Sequence, residues 1–414
     1  MDWLLLTVVL SVAAFLRLYR LESLPPGPYS DEAANGILAG EIASGVSRPL
    51  FIPAYTGKEV LFFYVAATMM RAIGPTLLGL RLTSALLGVA GVAATYFMAL
   101  VLFDTDERDS SARLTQRGMA LLAAALAATS FWHINMSRYG FRAISQPLTQ
   151  ALMLLFLWRG LRRDRRLDVV VAGLFCGLTA YTYLASRAVP FALLPLLLGA
   201  LVVDRRFWGR RAVHVLLFVL SALIVFAPLG GYFLQHPQAF GVRMSQVSLL
   251  NPTVGDANPW RTLGQAAWSA VLMFTVRGDP LWRFGAPGKP VFPALVAVLF
   301  YLGLAVSLIK TLTSRDGMAR VLHLSLLVWL PIMLLPSILG ANRYEVPSSL
   351  RAIGVLPVLD LFPAQGLMTI LGLVGRWQRT GQAVVAGVVS VALLLGSAAR
   401  VFHDYFDVWG RAPQ

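Results

Sequence analysis

Apolar runs near twenty residues long recur along the chain, at about 3–18, 60–73, 76–102, 118–135, 144–158, 169–184, 188–203, 212–229, 291–309, 321–339, 352–374 and 381–398. Most are long enough to cross roughly 30 Å of hydrocarbon as a helix. The pattern predicts an all-α polytopic membrane protein with about 11–13 transmembrane helices and amphipathic juxtamembrane helices in its first external loop.

The polar gaps between the runs are of two kinds. The short linkers 103–117, 159–168, 204–211, 310–320 and 375–380 hold seventeen of the thirty-five Lys and Arg, and the positive-inside rule places them in the cytoplasm. The long segments 19–59 and 230–290, and the turns near 136–143 and 340–351, then lie outside. Twelve full crossings would put the later basic linkers on the wrong side. Removing one early crossing repairs this. Either the short run 60–73, which ends at Arg71, is re-entrant, or the acidic linker 103–117 is misassigned. The repaired count leaves the C-terminus external and predicts a multi-pass protein of the cell (plasma or inner) membrane.

Composition agrees with this reading. Of 414 residues, 57% are hydrophobic and only 13% are charged, against roughly a quarter charged in soluble domains. About half of the basic residues behind the net charge of +15 cluster in the short linkers, so the charge does not point to nucleic acid. Cys176, the lone cysteine, excludes an intrachain disulfide. The first run lacks a basic n-region and reads as a retained span. No internal repeat divides the chain, so 1–414 is read as one domain. Within 230–290, residues 260–276 form an amphipathic stretch in which Trp260 and Trp268 suit headgroup depth.

The first external loop carries the most suggestive chemistry. In PPGPYSDEAANG the prolines stop the first span, Ser30 is a candidate N-cap, and Asp31 and Glu32 follow in the first helical turn. Ala34, Ile37, Leu38 and Ile42 recur at helical spacing, predicting a short surface helix. Acids at that position complement the helix dipole; they are equally placed to act as a rigidly held general base. Lys58, opening the next run, either snorkels to the headgroups or meets a lipid-linked phosphate as a point charge. Arg138, Arg142, Arg187, Arg343 and Arg351 sit beside external span ends, where they serve either as interfacial anchors or as a cationic cavity for phosphate. Asp360 lies inside an apolar run and is expected to have a helix-packing partner. No His, Cys or carboxylate spacing resembles a zinc site, and no nucleotide fingerprint is present.

Three further stretches occur in order: Gly57-Lys58-Glu59-Val60-Leu61-Phe62-Phe63-Tyr64, Arg81-Leu82-Thr83-Ser84-Ala85-Leu86-Leu87-Gly88, and Ser137-Arg138-Tyr139-Gly140-Phe141-Arg142. With the Asp-Glu loop they resemble the membrane glycosyltransferases of the GT-C class. The likeness is to glycosyltransferase family 39, the protein-mannosyltransferase-like and aminoarabinose-transferase-like branch, over about residues 10–400. The resemblance implies sugar transfer from a polyprenyl-phosphate carrier to a protein, lipid or glycan acceptor on the extracytoplasmic face. It implies a catalytic acid at Asp31, with Glu32 second, and a carrier-phosphate contact at Lys58. The family's Lys-Pro-Pro-Leu is here Lys58-Glu59-Val60-Leu61. Members often continue into a soluble domain, and this chain ends where that domain would begin.

A phosphate leaving group needs no proton, so one base suffices where glycosidases need two carboxylates. Asp31 is then expected to deprotonate the acceptor, with inversion at the anomeric carbon, while Lys58 and the arginines stabilise the departing phosphate. Asp31 and Glu32 could together touch a divalent cation, but no other cofactor is implied. A transporter or flippase of a lipid-linked or anionic solute, a non-catalytic assembly factor, and a surface-glycan polymerase or ligase are the rival readings.

Overall fold

The computed structural model describes residues 2–55, 57–104, 110–203, 208–241, 258–340, 345–374 and 382–411. Every one of the twelve apolar runs is helical. The chain runs α1 (Asp2–Leu18), α2 (Ser30–Ala43), β1 (Phe51–Ile52), β2 (Lys58–Glu59), α3 (Leu61–Ile73), α4 (Leu77–Leu102), α5 (Ser110–Thr129) and α6 (Phe131–Arg138). It continues through α7 (Ser145–Arg163), α8 (Arg166–Thr179), α9 (Val189–Val202), α10 (Trp208–Gln235) and α11 (Pro259–Leu272). The last four helices are α12 (Ala294–Thr313), α13 (Gly317–Leu339), α14 (Leu361–Val374) and α15 (Gln382–Phe402).

Six helical spans among the described residues are long and apolar enough to cross a bilayer, or seven if α5 and α6 are one bent span. The protein has an all-α, multi-pass membrane fold. Its 13-residue α3 is only about 20 Å long, short of the hydrocarbon thickness. It packs against α2, and Arg71 ties it there through hydrogen bonds to the carbonyls of Ile42 and Ala43. The weakest predicted crossing is therefore the short partner of the external-loop helix.

The central element is α4, which packs on α1, α3, α5 and α7. Where α12 crosses α14, Gly303 and Gly366 bring the backbones together: a Cβ on Gly303 would stand 1.9 Å from the Phe362 carbonyl oxygen. Small residues permit such close crossings in lipid, where packing rather than hydrophobicity drives association.

The run 118–135, expected as one segment, is broken. α5 and α6 meet at 56°, and the Ser130 side chain caps α6 by accepting from the His133 amide. The break frees carbonyls at the end of α5. Arg17, wholly buried on α1, donates to the carbonyls of Ala127 and Ala128 and to Nδ1 of His133 at 2.7 Å. A buried arginine thus repairs the helix end.

Residues beyond 400 do not trail away. Phe402 leads into a wide helical turn, His403–Val408, that buries Tyr405, Phe406 and Trp409 against α1 and α6. In the 230–290 segment, α11 forms as predicted, with Trp260 and Trp268 exposed on it.

Candidate active site

The helix α2 starts at Ser30 but is not capped by it. The N-cap is Tyr29, in an extended conformation and with no side-chain cap bond, and Ser30 is the first, exposed helical residue. Asp31 and Glu32 do occupy the first turn, where they complement the dipole. Successive helical residues point about 100° apart, and that turn separates the two acids. Asp31 is exposed, whereas Glu32 is 0% exposed. The inner face is Ala34, Leu38, Ala39 and Ile42, while Ile37 points outward.

Glu32 is fully engaged. Its two oxygens accept from Nε and Nη2 of Arg81 on α4, at 2.8 and 2.9 Å, in a bidentate pair. Its Oε1 also accepts from the Gly140 amide at 2.9 Å. Arg81 uses its remaining donors on the carbonyls of Leu21, Glu22 and Gly27. One arginine therefore clamps the loop after α1 and the start of α2 to the central helix. Charged, bidentate bonds of this kind are the strong ones in a dry interior. A carboxylate so held is not available to a substrate, so Glu32 belongs to the scaffold.

One turn beyond Asp31 lies Asn35, also buried. Its Oδ1 accepts from Lys58 Nζ at 2.8 Å, and its Nδ2 donates to the Gly140 carbonyl at 2.7 Å. The amide cannot flip without turning its donor toward the ammonium, so both ends fix Lys58. Lys58 comes from β2, which pairs antiparallel with β1, Ile52 opposite Lys58 and Phe51 opposite Glu59. The turn between the strands needs glycine at 57. Its φ is 89°, and a Cβ there would meet the Phe51 ring at 2.9 Å.

Alternation along β2 sends Lys58 and Glu59 to opposite faces. Glu59 pairs with Arg142 at 3.1 Å, and the guanidinium of Arg142 stacks 5.1 Å from the Tyr183 ring. Lys58 thus turns to Asn35 on α2, and Arg142 is held by Glu59 on the other face of the strand. The altered Glu59 is the anchor of Arg142.

The other cations go elsewhere. Arg138, spaced four from Arg142, does not share its face, because α6 ends at Arg138. It is buried and donates to the carbonyls of Leu16, Tyr19 and Leu24, beneath the rings of Tyr405 and Phe406. A guanidinium so enclosed cannot reach a phosphate. Arg187 lies 4.1 Å from the Phe240 ring and donates to that residue's carbonyl. Arg351 pairs with Glu345 at 3.0 Å. Arg343 falls outside the described residues.

Asn35, Arg81 and Arg283 were not foreseen. Arg81 stands in a quoted motif, but its partner Glu32 is 49 positions away. Asn35 carries no charge, and its only local signal is the spacing of four from Asp31. Arg283, from the 230–290 segment, donates to the Tyr29 hydroxyl and packs over that ring at 5.2 Å, so the long loop reaches the start of α2. Among the described residues, no group of three or more His, Cys, Asp or Glu gathers to hold a metal. With Glu32 committed to Arg81, the adjacent acids do not make a two-carboxylate cation site.

No family model matches the chain, and no curated protein matches it in sequence. Solved structures do match in fold. An archaeal oligosaccharyltransferase from Archaeoglobus fulgidus, in complex with an inhibitory peptide and a dolichol-phosphate, superposes with a TM-score of 0.60 at 15% identity. The match covers 100% of this chain and 56% of that one, so the chain spans little more than half its length. The transferase ArnT from Cupriavidus metallidurans, bound to undecaprenyl phosphate, matches with a TM-score of 0.54 at 16% identity, covering 97% of this chain and 71% of that one. The chain therefore has the fold of the GT-C membrane glycosyltransferases.

Proposed function

We propose that this protein is an inverting glycosyltransferase that moves a sugar from a polyprenyl-phosphate carrier to an acceptor hydroxyl or amine at the extracytoplasmic face. The observation that carries the reading is an accessible acid, Asp31, one helical turn from a buried, oriented ammonium, Lys58, on the Asn35 amide. The fold supports it, since similar structures hold dolichol-phosphate and undecaprenyl phosphate.

In this reading the acceptor gives its proton to the Asp31 carboxylate as its oxygen or nitrogen attacks the anomeric carbon. The bond from that carbon to the phosphate oxygen breaks on the opposite face, and the configuration inverts. The electron pair leaves with the phosphate, whose growing charge Lys58 meets in a site of low dielectric. No second carboxylate is required, because the leaving phosphate needs no proton. This agrees with Glu32 serving Arg81 instead of the reaction. The sugar is a hexose or pentose, and the acceptor is a protein, lipid or glycan.

A positioned base contributes roughly 10²–10⁴-fold. Asp31→Asn should therefore cut transfer of label from a polyprenyl-phosphate sugar by about that factor, with the thermal midpoint unchanged because the side chain is exposed. Near-normal transfer by the variant would remove Asp31 from the mechanism. Carrier-linked sugar that crossed the bilayer without being transferred would favour a flippase.

A further inference from the structure

A pocket of about 100 Å³ is lined by none of Asp31, Asn35, Lys58 or Arg142. It is walled by the end of α5, the loop before α12, the start of α14 and the end of α15. That volume holds several waters or a small polar group.

Its inner wall carries two acids, neither of them in an ion pair with a described residue. Asp360 is 2% exposed and lines the cavity. Among the described residues no hydrogen-bond donor or cation reaches its carboxylate, so the helix-packing partner expected for it is missing. Asp279 also lines the cavity, held in place by the amides of Leu281 and Ser349 at 2.9 and 2.6 Å. The outer wall has the opposite balance. Lys289 and Arg400 share one acid, Asp404, the Arg400 contact being 3.5 Å. The helices on either side present exposed apolar residues, Leu295 and Val298 on α12 and Val391 and Leu395 on α15.

An unpaired acid in an apolar interior is costly and calls for a cationic partner. A negative interior behind a positive rim is the complement of a zwitterion with ammonium and phosphate a few bonds apart. We propose that this cavity binds a phospho-ammonium headgroup, its ammonium at Asp360 and Asp279 and its phosphate at Lys289 and Arg400. The two sources of that chemistry are phosphatidylethanolamine and free phosphoethanolamine. A choline headgroup is excluded, because a quaternary ammonium offers no N–H to the two carboxylates. The site is separate from Asp31 and Lys58, and it stands whether or not transfer is the activity.

The test uses the full chain in nanodiscs of equal phosphatidylethanolamine and phosphatidylglycerol. Lipid that stays bound after transfer to detergent is counted by native mass spectrometry. Charge-assisted hydrogen bonds predict about tenfold preference for the ethanolamine lipid, falling to parity in Asp360→Asn. Arg400→Ala, at a half-exposed side chain, should lower retention without disturbing the fold, and it decides the matter if Asp360→Asn does not fold. In a second arm, discs of phosphatidylglycerol alone receive soluble O-phosphoethanolamine. Thermal protection there that Arg400→Ala abolishes, without lipid preference in the first arm, identifies the free zwitterion as ligand. Absence of both preference and protection, or retention unchanged in both variants, overturns the proposal. So does equal retention of phosphatidylcholine.

Discussion

Two polar regions of the bundle, one around α2 and one at the end of α5, manage buried charge in opposite ways. Around α2 the buried charges have protein partners: Glu32 pairs with Arg81, Glu59 pairs with Arg142, and Lys58 donates to the neutral Asn35 amide. In the pocket between α5, α12 and α15, Asp360 has no partner among the described residues. Matched buried charge builds a scaffold, since breaking a pair exposes the survivor's full desolvation penalty. Unmatched buried charge describes an occupant.

The largest expected effect falls on the matched side. Arg81→Met leaves the Glu32 carboxylate buried and alone, and should cost about 3–5 kcal/mol, read as a lower thermal midpoint in detergent. Adding Glu32→Leu should recover most of that loss, because two apolar side chains can replace a buried pair. If the single variant is as stable as the parent, the clamp is not structural and the contrast between the regions collapses.

A smaller effect belongs to the other region and depends on pH. Burial raises the Asp279 pKa from 3.8 to about 6, against the opposing pull of two amides and the nearby Arg283. Its folded value thus exceeds its unfolded one. Its contribution to stability is fully retained below pH 4 and lost as pH rises through 6. Ionisation there costs on the order of 3 kcal/mol at neutral pH. Asp279→Asn should flatten the fall in thermal midpoint between about pH 4 and 6. An unaltered slope would assign the titration to another group.

The smallest effect tests how finely the matched side is tuned. Asn35→Ala removes one charge-assisted hydrogen bond and should weaken binding of undecaprenyl phosphate about tenfold. Combined with Lys58→Ala it should add nothing further, since the amide acts through the lysine. Additive losses would give Asn35 a separate role. Unchanged binding by Lys58→Ala would instead undercut the lysine as phosphate contact.

Local pattern made much of this legible. Apolar periodicity marked every membrane helix, and the stop signal of Pro25, Pro26, Gly27 and Pro28 marked the start of α2. Lys58 and Asp31 stood out because each opens an element at a membrane boundary. What stayed hidden depends on distant partners. Nothing near Glu32 announces Arg81, and nothing near Arg138 announces the carbonyls of α1 that it serves. Four-residue spacing on an unbroken helix would put Arg138 and Arg142 on one face. A helix end between them sends one inward and the other to Glu59. Ile37 fits the apolar stripe of α2 but faces outward, because a helix at a membrane surface has two apolar neighbours, protein and lipid. Asp360 was expected to find a helix partner, and the rule that buried acids are paired fails where a cavity intervenes.

Gly140 sits at the join of the 136–143 turn and α2, and only its backbone is recognised: Glu32 reads its amide and Asn35 its carbonyl. A side chain there would drive a Cβ to 2.3 Å from Leu80. Contacts to main chain are blind to spelling. Neighbours of residue 140 are free to drift through sequence space while the register of the turn against the helix persists, and glycine itself is the one letter that cannot change. Transplanting this corner into another bundle would mean carrying three residues, Glu32, Asn35 and Gly140, with Arg81 to anchor them.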